Sequence, residues 1–262
     1  MPNAPAHPEA PAEDEHLRHT LAILDRRIES VGSIDLYGPT EHDTAALHAQ
    51  MVKIYRDLEL ARENVYFGRL DLLVEGSGKS ESHYIGRIGF DERGKIVVVD
   101  WRAPVARLFS RRRPGSVGYE SPDGFRHVEL RLKRHVVLDR QSLRDIFDEY
   151  DTRPDSPTAG EAVRNLVDPD AYLRQILSGR RDAQMGDIVA TIQEHQDELI
   201  RAAVLQVLLI QGAAGSGKTS VALHRLAYLL YPGNKFNLNP DRCIIFGPNQ
   251  LFLGYISNVL PG

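Results

Sequence analysis

The chain has 262 residues, of which 42% are hydrophobic and 26% charged, and 32 Lys and Arg stand against 36 Asp and Glu for a formal charge of −4. These proportions suit a soluble globular protein with material for one large domain or two ordinary ones. They exclude coating of nucleic acid by bulk positive charge, although they leave room for a local basic groove. A single cysteine, Cys243, excludes an internal disulfide, and no run of 18 apolar residues is present to span a bilayer.

Residues 1–12 are rich in Pro and Ala and are expected to form a disordered tail with no signal-peptide pattern, which makes the cytoplasm the expected compartment. From 15 to 28, Leu17, Leu21, Leu24 and Ile28 recur every three or four residues, the spacing of a helix stripe. Leu47, Met51, Ile54, Leu58 and Ala61 repeat the pattern over 44–64, after the Tyr37-Gly38-Pro39 turn. Residues 13–65 are therefore read as a helical hairpin, or arm.

The texture changes at Tyr66. Segments 66–74, 83–90, 96–99 and 125–138 are rich in β-branched and aromatic residues, and Gly76-Ser77-Gly78, Asp91-Glu92-Arg93-Gly94 and Asp123-Gly124 separate them as turns. Residues 66–150 are expected to be a small, mainly antiparallel β module. Its Asp100-Trp101-Arg102-Ala103-Pro104 segment carries the only tryptophan, for which a packing corner is the expected role. Residues 151–184 form a connector, polar and proline-bearing at 151–157 and helical over 158–166 and 170–178. Residues 185–262 then read as a helix over 185–200 with Gln193, Gln196 and Asp197 on its polar faces, a strand at 207–210, a glycine-rich loop, a helix at 218–230, a strand at 243–246 burying Cys243, and a helix over 250–259. That order is the opening of a parallel α/β domain.

Gly212-Ala213-Ala214-Gly215-Ser216-Gly217-Lys218-Thr219 matches G-x-x-x-x-G-K-[ST] at every position, and Ser220 continues it into the helix. Glycines and small residues let the backbone curl so that its N–H groups converge on phosphates, and the helix adds the positive end of its dipole. The pattern assigns the β and γ phosphates of a nucleoside triphosphate to Lys218 and Mg²⁺ to the Thr219 hydroxyl. Gly76-Ser77-Gly78-Lys79-Ser80 copies only the tail of this pattern and is expected to be a hairpin loop. Arg111-Arg112-Arg113, before Pro114-Gly115, is expected to be a solvated turn. No Asp or Glu follows Asp241, so no second Mg²⁺-holding carboxylate is assigned, and the 262 residues are expected to be the N-terminal part of a longer protein.

Ile192-Gln193-Glu194-His195-Gln196-Asp197-Glu198-Leu199-Ile200 resembles the Q motif of UvrD/Rep-type superfamily-one helicases, which implies that Gln196 reads adenine. The run from Ala213 to Arg225 is similar to motif I of that group, and Ile245-Phe246-Gly247-Pro248-Asn249 to its motif Ia. Tyr66-Phe67-Gly68-Arg69, Tyr84-Ile85-Gly86-Arg87-Ile88-Gly89, Val99-Asp100-Trp101-Arg102-Ala103-Pro104-Val105, Asp187-Ile188-Val189-Ala190-Thr191-Ile192-Gln193, Ala227-Tyr228-Leu229-Leu230-Tyr231 and Gly247-Pro248-Asn249 resemble the HelD family. That resemblance implies a helical arm, a β region that supports it and the first part of an α/β P-loop (RecA-like) motor domain over 185–262. It implies an ATP- and Mg²⁺-dependent motor that binds bacterial RNA polymerase core and drives its release or recycling, with DNA contacted through the motor and a monomeric state. The segments before Tyr66 are shorter than the family's long arm. Two other functions stay open at this point: a 3'-5' DNA helicase acting directly on DNA, and a nucleotide-gated binding module with little turnover.

Overall fold

The computed structural model describes residues 7–33, 41–121, 123–157, 189–205, 207–234, 236, 238–247 and 249–250. The Tyr37-Gly38-Pro39 turn, the helices expected over 158–166 and 170–178, the first four residues of that expected over 185–200, and all but the first residue of that expected over 250–259 lie outside the described residues.

Helix α1 spans Ala10–Gly32 and α2 spans Glu41–Glu63, so the expected pair of helices is present. Leu17, Ile23, Leu24 and Ile28 of α1 are buried, each worth roughly 1.5–3 kcal/mol of transfer free energy. The helix begins before its apolar stripe, inside the segment expected to be disordered, because charge holds its first turn: Glu9 and Glu13 reach arginines of the sheet. In α2 only the C-terminal part docks. Leu58 and Ala61 are buried, whereas Leu47 and Val52 are 41% and 53% exposed.

Seven strands follow: β1 Gly68–Val74, β2 Ser80–Gly86, β3 Phe90–Glu92, β4 Lys95–Asp100, β5 Gly115–Ser121, β6 Gly124–Asp139 and β7 Ser142–Asp151. Their order is β3-β4-β2-β1-β6-β5, with β7 pairing the C-terminal half of β6. All pairs are antiparallel except β2 with β4. Gly76 and Gly78 take positive φ in the β1–β2 connection, which makes that glycine-rich stretch the hairpin loop expected. Arg93 and Gly94, both at positive φ, close the β3–β4 hairpin in the primed-turn geometry that suits strand twist.

The segment expected over 83–90 divides, β2 ending at Gly86 and Phe90 opening β3 with Asp91 and Glu92 of the expected turn, and strands β5 and β7 were not expected. The β6–β7 turn has Arg140-Gln141 at its centre, with Arg140 at φ 56° and only the flanking Asp139 and Ser142 as turn formers. Strand β7 also carries Asp145, Asp148, Glu149 and Asp151, residue types that strands disfavour.

The two sheet faces are covered by different layers. Tyr66, Tyr84, Val98, Val136, Leu138 and Ile146 face the helical hairpin. Phe67, Leu70, Leu72, Ile85 and Val99 face Trp101 and the 3₁₀ segment Pro104–Ser110, which contributes Leu108 and Phe109. Trp101 is 3% exposed, the packing corner expected. A bulge explains how β6 serves both layers. Asp71 pairs Leu132 while Leu72 pairs Leu130, which leaves Arg131 as the extra residue and reverses the alternation. Beyond it Lys133 and His135 turn toward Phe109, while Arg134, Val136 and Leu138 turn toward the hairpin. Gly68 permits this packing, since a Cβ there would lie 2.2 Å from the Phe109 ring.

Under α1 sits a buried ionic network. The Arg134 guanidinium, fully buried, donates to Asp148 at 2.6 and 2.9 Å and to Glu13 at 3.1 Å, and pairs with Glu9. Arg69 pairs with Asp71, and Arg153 donates to Asp71, Glu9 and Asp151. His7 completes the network on Asp148 at 3.0 Å. Burial works against the Asp148 charge, but the Arg134 and His7 hydrogen bonds outweigh it and hold that carboxyl well below its usual range.

On the opposite face His135 hydrogen-bonds Glu149 at 2.9 Å, beside Lys133 and Phe109. Burial lowers its pKa to about 4, with Lys133 adding to that effect and Glu149 opposing it. His16, stacked on Tyr84, is lowered to about 4 by burial and by Arg69, and burial lowers His83 and His224 as well. The unfolded chain takes up these protons below about pH 6.5, whereas the folded chain resists them until about pH 4. Stability is therefore expected to be full above pH 6.5 and to fall through the window down to 4. Over that whole window His135 alone accounts for about 3 kcal/mol. Urea midpoints at pH 7.5 and 5.0 check this: a clear drop at pH 5.0 is expected, and a flat or rising midpoint contradicts it.

The C-terminal segment departs most from expectation. The helix expected over 185–200 is broken. A 3₁₀ turn covers Val189–Thr191, and helix α3, Glu194–Ile200, starts afresh after an extended Gln193. Gln193 and Gln196 form a reciprocal capping box, which satisfies the first N–H groups of a new helix rather than continuing the old one. Asp197, expected on a polar face, is 4% exposed and bonded to Arg201. Residues 207–210 and 243–246 form no strand, with Val207 at 102%, Leu209 at 78% and Phe246 at 89% exposure. The parallel strands expected there do not form among the described residues, because such a strand needs ladder partners at its edges and cover on both faces. Cys243 is accordingly half-exposed rather than core, with Sγ 3.7 Å from the Asn239 carbonyl.

Candidate functional site: the glycine loop and its two helices

Helix α4 spans Lys218–Leu229, and its apolar face, Val221, Leu223 and Ala227, is buried. It is entered from a tight curl. Gly215 and Gly217 take φ of 78° and 84°, the left-handed region glycine adopts without strain. Gly212 and Ser216 close the curl, since a Cβ at Gly212 would meet Ser216 Oγ at 2.7 Å. Ala213 and Ala214 lie exposed between them, and the Ala213 carbonyl accepts from the Ser216 N–H at 3.3 Å.

Gly217 is the N-cap of α4 and offers no side chain, so no side-chain cap meets the first N–H groups of the helix. The Lys218 ammonium lies over the same loop and donates to the Gly212 and Ala213 carbonyls at 2.9 and 2.6 Å. Thr219 is exposed on the first turn. The Ser220 hydroxyl turns inward to His224 Nδ1 at 3.3 Å, while its carbonyl holds the same ring nitrogen at 2.7 Å. The loop thus gathers uncapped N–H donors, an ammonium and a hydroxyl in one exposed curl, a donor set suited to an anion with several oxygens.

The predicted residues Gly212, Ala213, Ala214, Gly215, Ser216, Gly217, Lys218, Thr219 and Ser220 form this loop and its first turn. Gln196 joins them from α3. A Cβ placed on Gly217 would lie 3.1 Å from Gln196 Nε2, and Gln196 Oε1 accepts the Gln193 N–H at 3.1 Å.

The loop helix is seated on the sheet through Trp101. His224 meets the indole edge-on at 5.4 Å between ring centroids. Arg102 binds Asp100 through both carboxylate oxygens, at 2.8 and 2.7 Å, and stacks on Tyr231 at 4.8 Å. Burial opposes the Arg102 charge, but the Asp100 hydrogen bonds outweigh it and raise its pKa. Arg225 of α4 donates to the Leu199, Ile200, Ala202 and Ala203 carbonyls at the end of α3. Sequence reasoning assigned no role to Arg201 or to these carbonyl clamps. The one signal available was the Asp197–Arg201 spacing of four within a helix. Arg111-Arg112-Arg113 is the solvated turn expected, with the Arg111 carbonyl accepting from Lys133.

Fold and site together define an α and β protein in which a mixed sheet carries a helical hairpin on one face and a glycine loop with its helix on the other. The family model described as DNA helicase IV HelD, N-terminal domain, matches residues 10–162. That match covers more than half of the chain, and the chain belongs to this family, which is related to the helicase superfamily. No curated protein matches the chain. Among the described residues no helix is long and apolar enough to cross a membrane.

Proposed function

We propose that residues 212–220 are a P-loop that binds ATP with Mg²⁺, at the start of a RecA-like motor domain running over 185–262. In this reading the protein hydrolyses ATP to drive the release or recycling of bacterial RNA polymerase core, in the cytoplasm and as a monomer. The observation that carries the reading is the start of α4: an uncapped, left-handed Gly217 and the Lys218 ammonium on one exposed curl. The loop N–H groups and Lys218 would hold phosphate oxygens, and the Thr219 hydroxyl would ligate the metal. The Gln196 amide has the donor and acceptor pair that complements the adenine edge. Bound Mg²⁺ supplies charge neutralisation at the phosphates.

The family supports the polymerase partner, with residues 13–65 as the arm, 66–150 as its β support and 151–184 as the connector. A second reading, a 3'-5' DNA helicase acting directly on DNA, is favoured by the family's own description as DNA helicase IV. Gel filtration of the full-length protein with core RNA polymerase, with and without ATP, separates the two. Co-migration that ATP alters is expected. Absence of co-migration in both states, with ATP-driven separation of a tailed duplex, would move the assignment to the helicase.

A further inference from the structure

Helix α3 has seven residues, too few to be stable alone, so its position is set by what grips it. One grip is Arg225, reaching across from the loop helix. The other is Arg201, just past the last residue of α3 and nearly buried, with 7% of its side chain exposed. Its Nε donates to Asp197 Oδ1 at 2.8 Å. The remaining N–H groups go to three successive carbonyls of the turn after β4: Trp101 at 2.7 Å, Arg102 at 3.1 Å and Ala103 at 3.5 Å. The guanidinium also lies over the Tyr228 ring of α4, 5.0 Å from its centroid. Arg201 therefore ties α3, the sheet turn and the loop helix at one point.

What α3 presents to the glycine loop is Gln196, held by the capping box with its amide beside Gly217. The loop's own donors come from the 212–220 segment, outside α3. We infer that Arg201 is a positioning residue that sets the base selectivity of the site, by fixing how far Gln196 stands from the loop. This rests on the nucleotide reading of residues 212–220.

The test compares Mg-ATP with inorganic tripolyphosphate as calorimetric ligands of the full-length protein. Arg201→Lys keeps a cation opposite Asp197 but cannot fork across three carbonyls, so the fold survives while the grip is lost. Thermal unfolding verifies the former. The expected result is a loss of about tenfold in ATP affinity with tripolyphosphate affinity held within about twofold. Gln196→Ala is expected to give a similar loss, and the double variant to be no weaker than Gln196→Ala alone, because both act through one contact. Equal losses on both ligands, or additive losses in the double variant, would overturn the positioning role while leaving the nucleotide site standing. A wild-type protein that binds neither ligand overturns the nucleotide reading and this inference with it.

Discussion

Replacing Lys218 by alanine is expected to lower the affinity for Mg-ATP about 100-fold or more and to abolish turnover, while the unfolding free energy changes by less than about 0.5 kcal/mol. The asymmetry follows from where the side chain ends. Its ammonium bonds to two carbonyls of an exposed loop, Gly212 and Ala213, so the fold loses little when it is removed. A phosphate group loses a charge-assisted donor that no neighbouring residue of the loop supplies. Gly217→Ala makes the companion case by a different route. The new Cβ sits on a residue at φ 84° and would approach Gln196 Nε2 to 3.1 Å. The left-handed conformation then costs roughly 1–2 kcal/mol, which the loop relieves by uncurling, and ATP affinity falls with it. Titration calorimetry on both variants decides the matter. Unchanged ATP binding by Lys218→Ala would remove the loop from consideration as the phosphate site.

Arg134→Met is expected to destabilise the fold by about 3–5 kcal/mol, the largest single effect on stability. Arg134 is fully buried against Asp148, Glu13 and Glu9, and its removal takes the main cation from Asp148 and Glu13, which lie away from water beneath α1. The loss should also free the N-terminal segment, since His7, Glu9 and Glu13 are fastened to the sheet through this cluster. Urea unfolding measures the first effect and limited proteolysis near residue 10 the second. Replacing Arg134, Asp148 and Glu13 together by apolar residues of similar volume should recover much of the stability, because the penalty lies in unpaired charge rather than in the lost pair. A loss below about 1 kcal/mol in Arg134→Met would mean that water reaches the cluster.

The same cluster shows why part of the fold escaped the sequence. The first turn of α1 has no apolar stripe, only Pro, Ala and acids, a composition that locally reads as disorder. Its order comes from arginines at positions 69, 134 and 153, whose approach depends on the sheet having formed. Strand β7 was hidden for the same reason: its acids look unsuited to a strand until Arg134 and Lys133 of β6 stand opposite. The bulge at Arg131 broke the alternation of β6 without a local signal.

Residues that act through neighbours in the chain were legible from the sequence. The helical stripes of α1 and α2, the glycine turns of the sheet and the curl of residues 212–218 follow from local spacing and backbone freedom, which need no partner. The tertiary structure alone decided the rest. It turned Asp197 inward, broke the helix before Gln193, left residues 207–210 and 243–246 without ladders, and brought Arg201 onto the carbonyls of a turn a hundred residues earlier in the chain. Each of these depends on which distant backbone groups stand within hydrogen-bonding reach, and no periodicity along the chain encodes that distance.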